Sequence, residues 1–184
     1  MRTYLLALIM ICFTMHSNAQ KANKLIMRNG SIRFISDATL ERIEAKSTKL
    51  NGLLIISDKT FAFTVENTSF NGFNGSLQQE HFNENYLESE RFPRCNFTGK
   101  IVENINFYVD GKYEVRAKGK LNIHGIEKDR IIKVSIEVKN GKIIVYSKFN
   151  VLLEEHGIFI PTIVNQKISE EIQIIVQANF EHYE

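Results

Sequence analysis

The histidine residues of this sequence lack the spacing of a metal site. Outside the N-terminal segment they are His81, His124, His156 and His182. No two of them are three or four residues apart, and no His-Glu-x-x-His or Cys-x-x-Cys pattern occurs, so the usual zinc-ligand spacings are missing. His81 lies next to Glu80 and near Glu84, but a surface role, a capping role or contact with a ligand headgroup explains it better than metal binding. We therefore expect neither a metal nor another cofactor.

The other residues with catalytic potential do not form a catalytic motif. A Gly-x-Ser-x-Gly elbow is absent, and residues 74–76 (Asn-Gly-Ser) are interpreted as a turn and a helix cap. The acid pairs at residues 154–155 and 170–171 lie beside predicted strand ends, where solvation explains them better than a buried catalytic dyad. Cys95 is more typical of a small buried side chain than of a reactive thiol. The sequence therefore favours a protein that is not an enzyme.

Residues 1–19 have the composition of a secretory signal peptide. Arg2 provides a positive charge, residues 4–13 form a short apolar run, and residues 17–19 (Ser-Asn-Ala) resemble a cleavage site. The apolar run is too short to cross a bilayer, which needs about 20 residues. A buried N-terminal strand or helix is the less favoured alternative. We predict an exported protein, periplasmic or secreted, with one domain at residues 20–184.

Composition and charge exclude several classes of protein. The chain has 184 residues, 43% hydrophobic and 24% charged, which suits one globular domain rather than disorder. Its net charge of +2 falls to +1 without Arg2, so nothing indicates nucleic-acid binding or stable membrane insertion. Thirteen Phe, six Tyr and no Trp, together with many Ile and Val, favour β-strands.

Hydrophobic residues alternate with polar ones through most of the chain, as is typical of strands with one dry face. The clearest segment is residues 114–123, where Val115, Ala117, Gly119 and Leu121 share a face. Glycine-containing dipeptides predict turns, most strongly a type I′ hairpin at Asn140-Gly141 and a similar one at Asp110-Gly111. Weaker turn signals lie at Asn29-Gly30, Asn51-Gly52 and His124-Gly125.

Residues 76–90 interrupt this alternation and predict one short amphipathic helix. The segment contains no β-branched residue, and Phe82 and Tyr86 recur at helical spacing. Ser76 followed by Gln79 resembles a capping box, and Pro93 lies just beyond the end. We expect this helix to cover part of the sheet.

The fold class predicted from these elements is mainly all-β. Seven to nine sequential strands with one dry face favour a closed antiparallel barrel of about eight strands with one short α-helix. A two-sheet sandwich is the alternative. Small residues at mid-strand, namely Ala117, Gly119, Ser147 and Ala178, favour an interior cavity, although Phe side chains from opposite strands could also fill that space.

Several short segments occur in the order of a known family. They include residues 32–34 (Ile-Arg-Phe), 80–82 (Glu-His-Phe), 91–97 (Arg-Phe-Pro-Arg-Cys-Asn-Phe), 119–125 (Gly-Lys-Leu-Asn-Ile-His-Gly) and 168–174 (Ile-Ser-Glu-Glu-Ile-Gln-Ile). From about residue 31 to residue 180 the chain resembles the YceI-like family of extracytoplasmic, lipocalin-like barrels that bind polyisoprenoids or other lipids. Cys95 departs from the pattern, because a small or aliphatic residue is expected there.

The resemblance implies an elongated apolar ligand, such as an isoprenoid or a fatty-acyl chain, inside the barrel. The helix residues expected over this ligand are His81, Phe82 and Tyr86. The strand residues expected to line it are Phe34, Phe63, Val115, Ala117, Leu121, Phe149, Ile174 and Ala178. Apolar burial is worth roughly 25 cal/mol per Å², so a long chain binds without hydrogen bonds.

Two other functions stay open at this stage. A structural or protein-interaction module would have a filled core and an apolar outer patch. Ile144, Tyr146, Leu152 and Ile175 are predicted to face outward and would also suit a homodimer. A small lipocalin-like enzyme would need titratable groups inside, which the alternation argues against.

Overall fold

The fold is known from a computed structural model that describes residues 24–182. The predicted signal peptide lies outside the described residues, as do the first residues of the predicted domain and its last two.

Eight strands form a closed barrel in which each strand is antiparallel to its neighbours in sequence. The strands are β1 (Lys24–Asp37), β2 (Arg42–Ile55), β3 (Thr60–Glu66), β4 (Arg94–Ile101), β5 (Gly111–Ile123), β6 (Ile126–Lys139), β7 (Lys142–Leu152) and β8 (Glu171–His182). β8 pairs with β1, for example at Phe34 and Ile174, which closes the sheet on itself. The barrel prediction is confirmed, and the sandwich alternative is excluded.

The dry and wet faces of the strands are the ones that alternation predicts. In β5, Val115, Ala117 and Leu121 are buried, whereas Arg116 and Lys118 are exposed. Since successive side chains of a strand point to opposite faces, the buried set faces the barrel interior and the exposed set faces solvent.

Two of the predicted turns adopt the geometry that their sequence favours. Asn140 and Gly141 have φ values of 51° and 74°, and His124 and Gly125 have values of 52° and 74°. A type I′ turn requires positive φ at both central residues. These turns connect β6 to β7 and β5 to β6, with Lys139 opposite Lys142 and Ile123 opposite Ile126.

The other three turn predictions were wrong. Gly30 lies within β1 at an irregularity in the pairing with β2, so the dipeptide makes a bulge rather than a reversal. Gly52 lies within β2, where a Cβ atom would come 2.9 Å from Cε1 of Phe63, so close packing explains this glycine. No strand ends directly before Gly111, the first residue of β5, so Asp110-Gly111 does not form a hairpin turn. The Asp110 carboxylate instead accepts a hydrogen bond from the Asn140 backbone N–H at 3.1 Å.

The predicted helix is present but short. Its α-helical part, α1, spans Ser76–His81, and one π-helical turn continues it over Phe82–Tyr86. The capping-box prediction was wrong, because Gly75 is the N-cap residue and the Gln79 side chain donates to the backbone oxygen of Phe70 at 3.0 Å. Within residues 24–182 no helix is both long and apolar enough to cross a bilayer.

A glycine pair brings β4 and β5 unusually close together. Gly99 lies opposite Gly119 in the pairing, and a Cβ atom on Gly119 would come 2.8 Å from the Cα atom of Gly99. The facing Thr98 carbonyl oxygen would be nearer still. Since real Cβ atoms do not approach other atoms so closely, this pair permits a contact between backbones that no other residue type would allow.

Candidate functional site

A cavity of about 340 Å³ occupies the end of the barrel beneath the helical segment. Its walls come from strands on all sides of the barrel, for example Phe34 of β1, Ile43 of β2, Leu121 of β5 and Val151 of β7. The volume falls within the range of about 300–1,000 Å³ that is typical of small-molecule sites. The space is therefore large enough for a ligand and is enclosed mainly by apolar side chains.

Four phenyl rings hold the helical segment against this end of the barrel. The Phe82 ring stacks on Phe34 of β1, with centroids 5.2 Å apart and planes at 14°. It also lies 5.7 Å from the ring of Phe70 and 5.1 Å from that of Phe73. Such pairs are worth about 0.5–1.5 kcal/mol each beyond their buried area. The rings thus position Phe82 and form part of the cavity lining.

The polar side chains of the cavity lining include Glu41, His81 and Lys167 at its edge and Ser36, which is buried. Glu41 accepts hydrogen bonds from the amide groups of Gln78 at 2.6 Å and Asn74 at 3.0 Å. These bonds, with the charge of Lys167 as a smaller contribution, hold the pKa of Glu41 below its usual value. His81 and Lys167 also line the edge and are exposed. A ligand with one polar end would therefore place that end here.

The Cys95 thiol is part of the cavity wall and is not activated. Burial raises its pKa to about 12, and Sγ donates to the Asn67 side-chain oxygen at 3.2 Å. The thiolate is the nucleophilic form of cysteine, so a thiol with this pKa is inert near neutral pH. In the described part of the chain, no cluster of three or more His, Cys, Asp or Glu residues could hold a metal ion.

His124 connects three segments at this end of the barrel. Its Nε2 atom lies 3.0 Å from the Glu88 carboxylate, which follows the helical segment. Its Nδ1 atom donates to the backbone oxygen of His156, in the connection between β7 and β8, at 3.1 Å. Its ring also packs edge-on against Phe92 with centroids 4.7 Å apart. The hydrogen bond from His124 lowers the pKa of Glu88. These contacts tie the connections around the cavity to one another.

The predicted ligand-binding residues fall into three groups. Six of them line the large cavity: Phe34, His81, Phe82, Tyr86, Leu121 and Ile174. Four line a separate cavity of only about 70 Å³ in the other half of the barrel: Phe63, Val115, Ala117 and Phe149. Ala178 lines neither cavity. It is 1% exposed and lies opposite Val145 in the packed end of the barrel.

Sequence reasoning missed the contribution of the long connection between β7 and β8. Its apolar side chains complete one side of the large cavity, and they include Ile158, Ile160, Val164 and Ile168. The signal was present as a run of aliphatic residues outside any alternating segment. A connection that is not a strand has no fixed face, so its sequence did not indicate that these residues turn inward.

Comparison with known proteins gives a consistent picture of the fold. The sequence profile of the YceI-like domain matches residues 16–180. No curated protein sequence matches. A polyisoprenoid-binding domain from Saccharophagus degradans, implicated in plant cell wall breakdown, has a TM-score of 0.74 at 13% identity, covering 89% of this chain and 100% of that chain.

Two further solved structures have the same fold. Burkholderia cenocepacia BcnA has a TM-score of 0.65 at 13% identity, with coverage of 82% of this chain and 95% of that chain. The Campylobacter jejuni YceI protein has a TM-score of 0.64 at 17% identity, with coverage of 82% and 91%. At these identities the likeness establishes the architecture.

Proposed function

Because the chain belongs to the YceI-like family, we propose that it binds an apolar, lipid-like molecule in the 340 Å³ cavity and catalyses no reaction. The observation that carries this proposal is the cavity itself, which has an apolar wall and a polar edge. The description of the Saccharophagus degradans domain as polyisoprenoid-binding agrees with it.

Burial of apolar surface supplies the binding free energy. Most wall side chains are Ile, Leu, Val or Phe, and the charged groups Glu41 and Lys167 lie at the edge. At roughly 25 cal/mol per Å², a hydrocarbon chain that leaves water for this wall gains affinity without hydrogen bonds along its length. We propose Phe34, Phe82 and Ile174, with Leu121, as the main contacts.

The chemistry of the cavity supports binding rather than catalysis. Two side chains in the wall are nucleophile types: Cys95, whose pKa of about 12 keeps it protonated, and Ser36, whose hydroxyl oxygen accepts a hydrogen bond from the Ser169 backbone N–H at 2.8 Å. The Glu41 carboxylate is engaged by two amide donors and has a lowered pKa, so it is a poor proton donor. General acid–base work requires a group whose pKa lies near the operating pH.

Native mass spectrometry with a cavity-filling variant tests this proposal. The chain contains no Trp, so Val151→Trp places a bulky ring in the cavity and also introduces the only indole fluorophore. Leu152→Trp adds the same ring to the adjacent residue, which faces outward and is 38% exposed. Both variants and the unchanged chain are expressed in an exporting host and purified without detergent.

We expect the unchanged chain and Leu152→Trp to carry or take up a small apolar molecule, and Val151→Trp to take up at least tenfold less. The solvent extract of the same samples identifies the molecule. If none of the three binds any lipid on titration, or if Val151→Trp binds as well as Leu152→Trp, the cavity is not the binding site.

Export is the second part of the proposal. Residues 1–19 have the features of a signal peptide and lie outside the described residues. N-terminal sequencing of the protein recovered outside the cytoplasm is expected to begin at Gln20. Recovery of the uncut chain in the cytoplasm would contradict this part and leave the binding proposal intact.

A protein-interaction role is the second candidate, and it rests on the outer face of β7. Ile144 and Tyr146 are 39% and 42% exposed there, and Leu152 lies farther along the same face, beyond Lys148 and Asn150. An apolar outer patch of this kind would suit a homodimer or another protein partner. Dimeric species in the native spectra that disappear in Tyr146→Glu would support the patch as an interface, whereas monomer alone at high concentration would exclude the homodimer.

A further inference from the structure

The large and the small cavity lie at successive levels of the barrel interior, and the aromatic side chains of the small cavity form a layer at the second level. Phe97 and Phe149 line the small cavity, while the residues opposite them, Leu121 and Ile174, line the large one. The rings of Phe61 and Phe97 are 5.0 Å apart, which continues the packed layer toward β3. The lining of the large cavity thus changes at this level to the ring-lined small cavity, and the helical segment lies at its other end.

The size of the large cavity sets the length of chain that fits. A cavity of about 150 Å³ lined by aliphatic and aromatic side chains holds one benzene molecule, which has six carbon atoms. On that scale the 340 Å³ of this cavity accommodates about 14 carbon atoms. A longer chain would have to displace the aromatic layer or leave its end in solvent.

The edge of the cavity offers hydrogen-bond donors. Within the described residues, the Tyr86 hydroxyl has no hydrogen-bond partner, and partial burial raises its pKa, which keeps the proton on the oxygen. Lys167 forms no ion pair there and interacts with Glu41 only at longer range. The Glu41 carboxylate accepts both amide hydrogen bonds, from Asn74 and Gln78, on its Oε1 atom. The donors that this edge offers to a ligand are therefore Tyr86 and Lys167, while Glu41 Oε2 is an acceptor at the same edge.

We propose that this barrel selects chains of about 14 carbon atoms that end in an acceptor oxygen, a carboxylate or an ester carbonyl, rather than long polyisoprenoids. The aromatic layer at Phe97 and Phe149 limits the length, and Tyr86 and Lys167 hold the polar end. This inference rests on the proposed function, since it specifies the ligand of the same cavity.

A homologous series of ligands tests the length limit. Straight-chain carboxylic acids of 8 to 20 carbons, each below its micelle concentration, are titrated into the delipidated chain and followed by native mass spectrometry. Each buried methylene is worth about 0.8 kcal/mol, so affinity is expected to rise about fourfold per added carbon until about 14 carbons and then to level off or fall. A 40-carbon polyprenol is expected to bind at least tenfold more weakly than the best acid.

A substitution in the aromatic layer distinguishes a length limit set by that layer from one set by the solubility of the ligand. Phe149→Ala removes a ring of six carbons from the layer and joins the small cavity to the large one, so the affinity maximum is expected to move to chains longer by about nine carbons. Phe97→Leu is a milder second variant in case Phe149→Ala unfolds, which circular dichroism reports. Phe159→Ala removes a ring that is 77% exposed and serves as the control, with no shift expected.

Ligands of equal chain length but different polar ends test the roles of Tyr86 and Lys167. The 14-carbon acid and its methyl ester are expected to bind at least fivefold more tightly than tetradecane, which has no acceptor. Lys167→Met is expected to weaken the acid more than the ester, whereas Lys148→Met on the outer face of β7 changes neither.

These outcomes separate the inference from the proposed function. If affinity keeps rising to 20 carbons, or if the polyprenol binds best, the length limit is wrong while lipid binding stands. If the alkane binds as well as the acid and the ester, the donor edge plays no part. If no chain of any length binds, the proposed function fails first.

Discussion

The substitution His124→Asn tests whether one side chain ties together the connections around the cavity. His124 is the first residue of a type I′ turn with φ of 52°, and Asn-Gly is the sequence that such turns prefer. The variant therefore keeps or improves the backbone preference. It removes only the imidazole contacts with Glu88, Phe92 and the His156 backbone.

The expected loss of stability follows from two of these contacts. The backbone oxygen of His156, a residue with 0% exposure, loses its donor, and an unsatisfied buried acceptor costs about 1–3 kcal/mol. The ring pair with Phe92, at 4.7 Å, contributes about 0.5–1.5 kcal/mol. Together they predict a decrease of about 3 kcal/mol in the free energy of unfolding.

Thermal unfolding followed by circular dichroism measures this decrease. For a chain of 150–250 residues, 1 kcal/mol shifts Tm by about 2–4 °C, so His124→Asn is expected to lower Tm by about 6–12 °C. His81→Asn is the matched control, because His81 is exposed and its Tm shift should stay near 1 °C. A Tm of His124→Asn equal to or above that of the unchanged chain would refute the reasoning, since the turn alone would then decide stability.

Three further predictions concern single residues. Cys95, with a pKa near 12, is expected to react with an aromatic disulfide reagent at pH 8 only after unfolding, when tested in a Cys12→Ser background; prompt reaction of the folded chain would contradict its burial. Burial lowers the pKa of His156 in the folded state. As the pH falls below about 6.5, the unfolded state therefore binds more protons than the folded state, and the free energy of unfolding decreases until the folded-state pKa is reached. His156→Leu is expected to lose less stability than the unchanged chain between pH 7 and pH 5, and an equal loss would show that another group causes the pH dependence. Gly119→Ala is expected to abolish folding or lower Tm by more than about 10 °C, because a Cβ atom would overlap the facing strand, whereas Gly75→Ala, with nothing within 4 Å, should fold normally.

The barrel was predictable from sequence because its signals are local. Alternation identifies a dry face within one strand, and a turn of the type found at Asn140-Gly141 depends on two residues. The same local reasoning failed at Gly30 and Gly52, which also fit turn patterns. Their role depends on neighbours that are distant in sequence, such as Phe63 opposite Gly52. A dipeptide cannot distinguish a reversal from a site of close packing.

The sequence predicted which face of each strand points into the barrel, but not at which level of the barrel each residue lies. Alternation shows that Leu121 and Ala117 share the inner face of β5, yet only Leu121 reaches the large cavity. Which level of the barrel a residue occupies depends on the stagger between strands and on the ring sizes opposite. Ala178 illustrates this, because its small side chain suggested free space and the structure fills that level with packed neighbours.

The small mid-strand residues allowed two interpretations, a cavity or a core filled by phenyl rings. Each interpretation applies to one half of the barrel. Around Ala117 and Ser147 the rings of Phe61, Phe97 and Phe149 leave only about 70 Å³. In the other half the phenyl rings form the cover, and aliphatic walls leave about 340 Å³. Since cavities weaken a core roughly in proportion to their volume, we expect the half with the larger cavity to be the less stable one. A ligand that fills the large cavity should therefore stabilise the covered half most, and the slowing of amide hydrogen exchange on ligand addition should be greatest in the segment from Ser76 to Tyr86 and in the connection between β7 and β8.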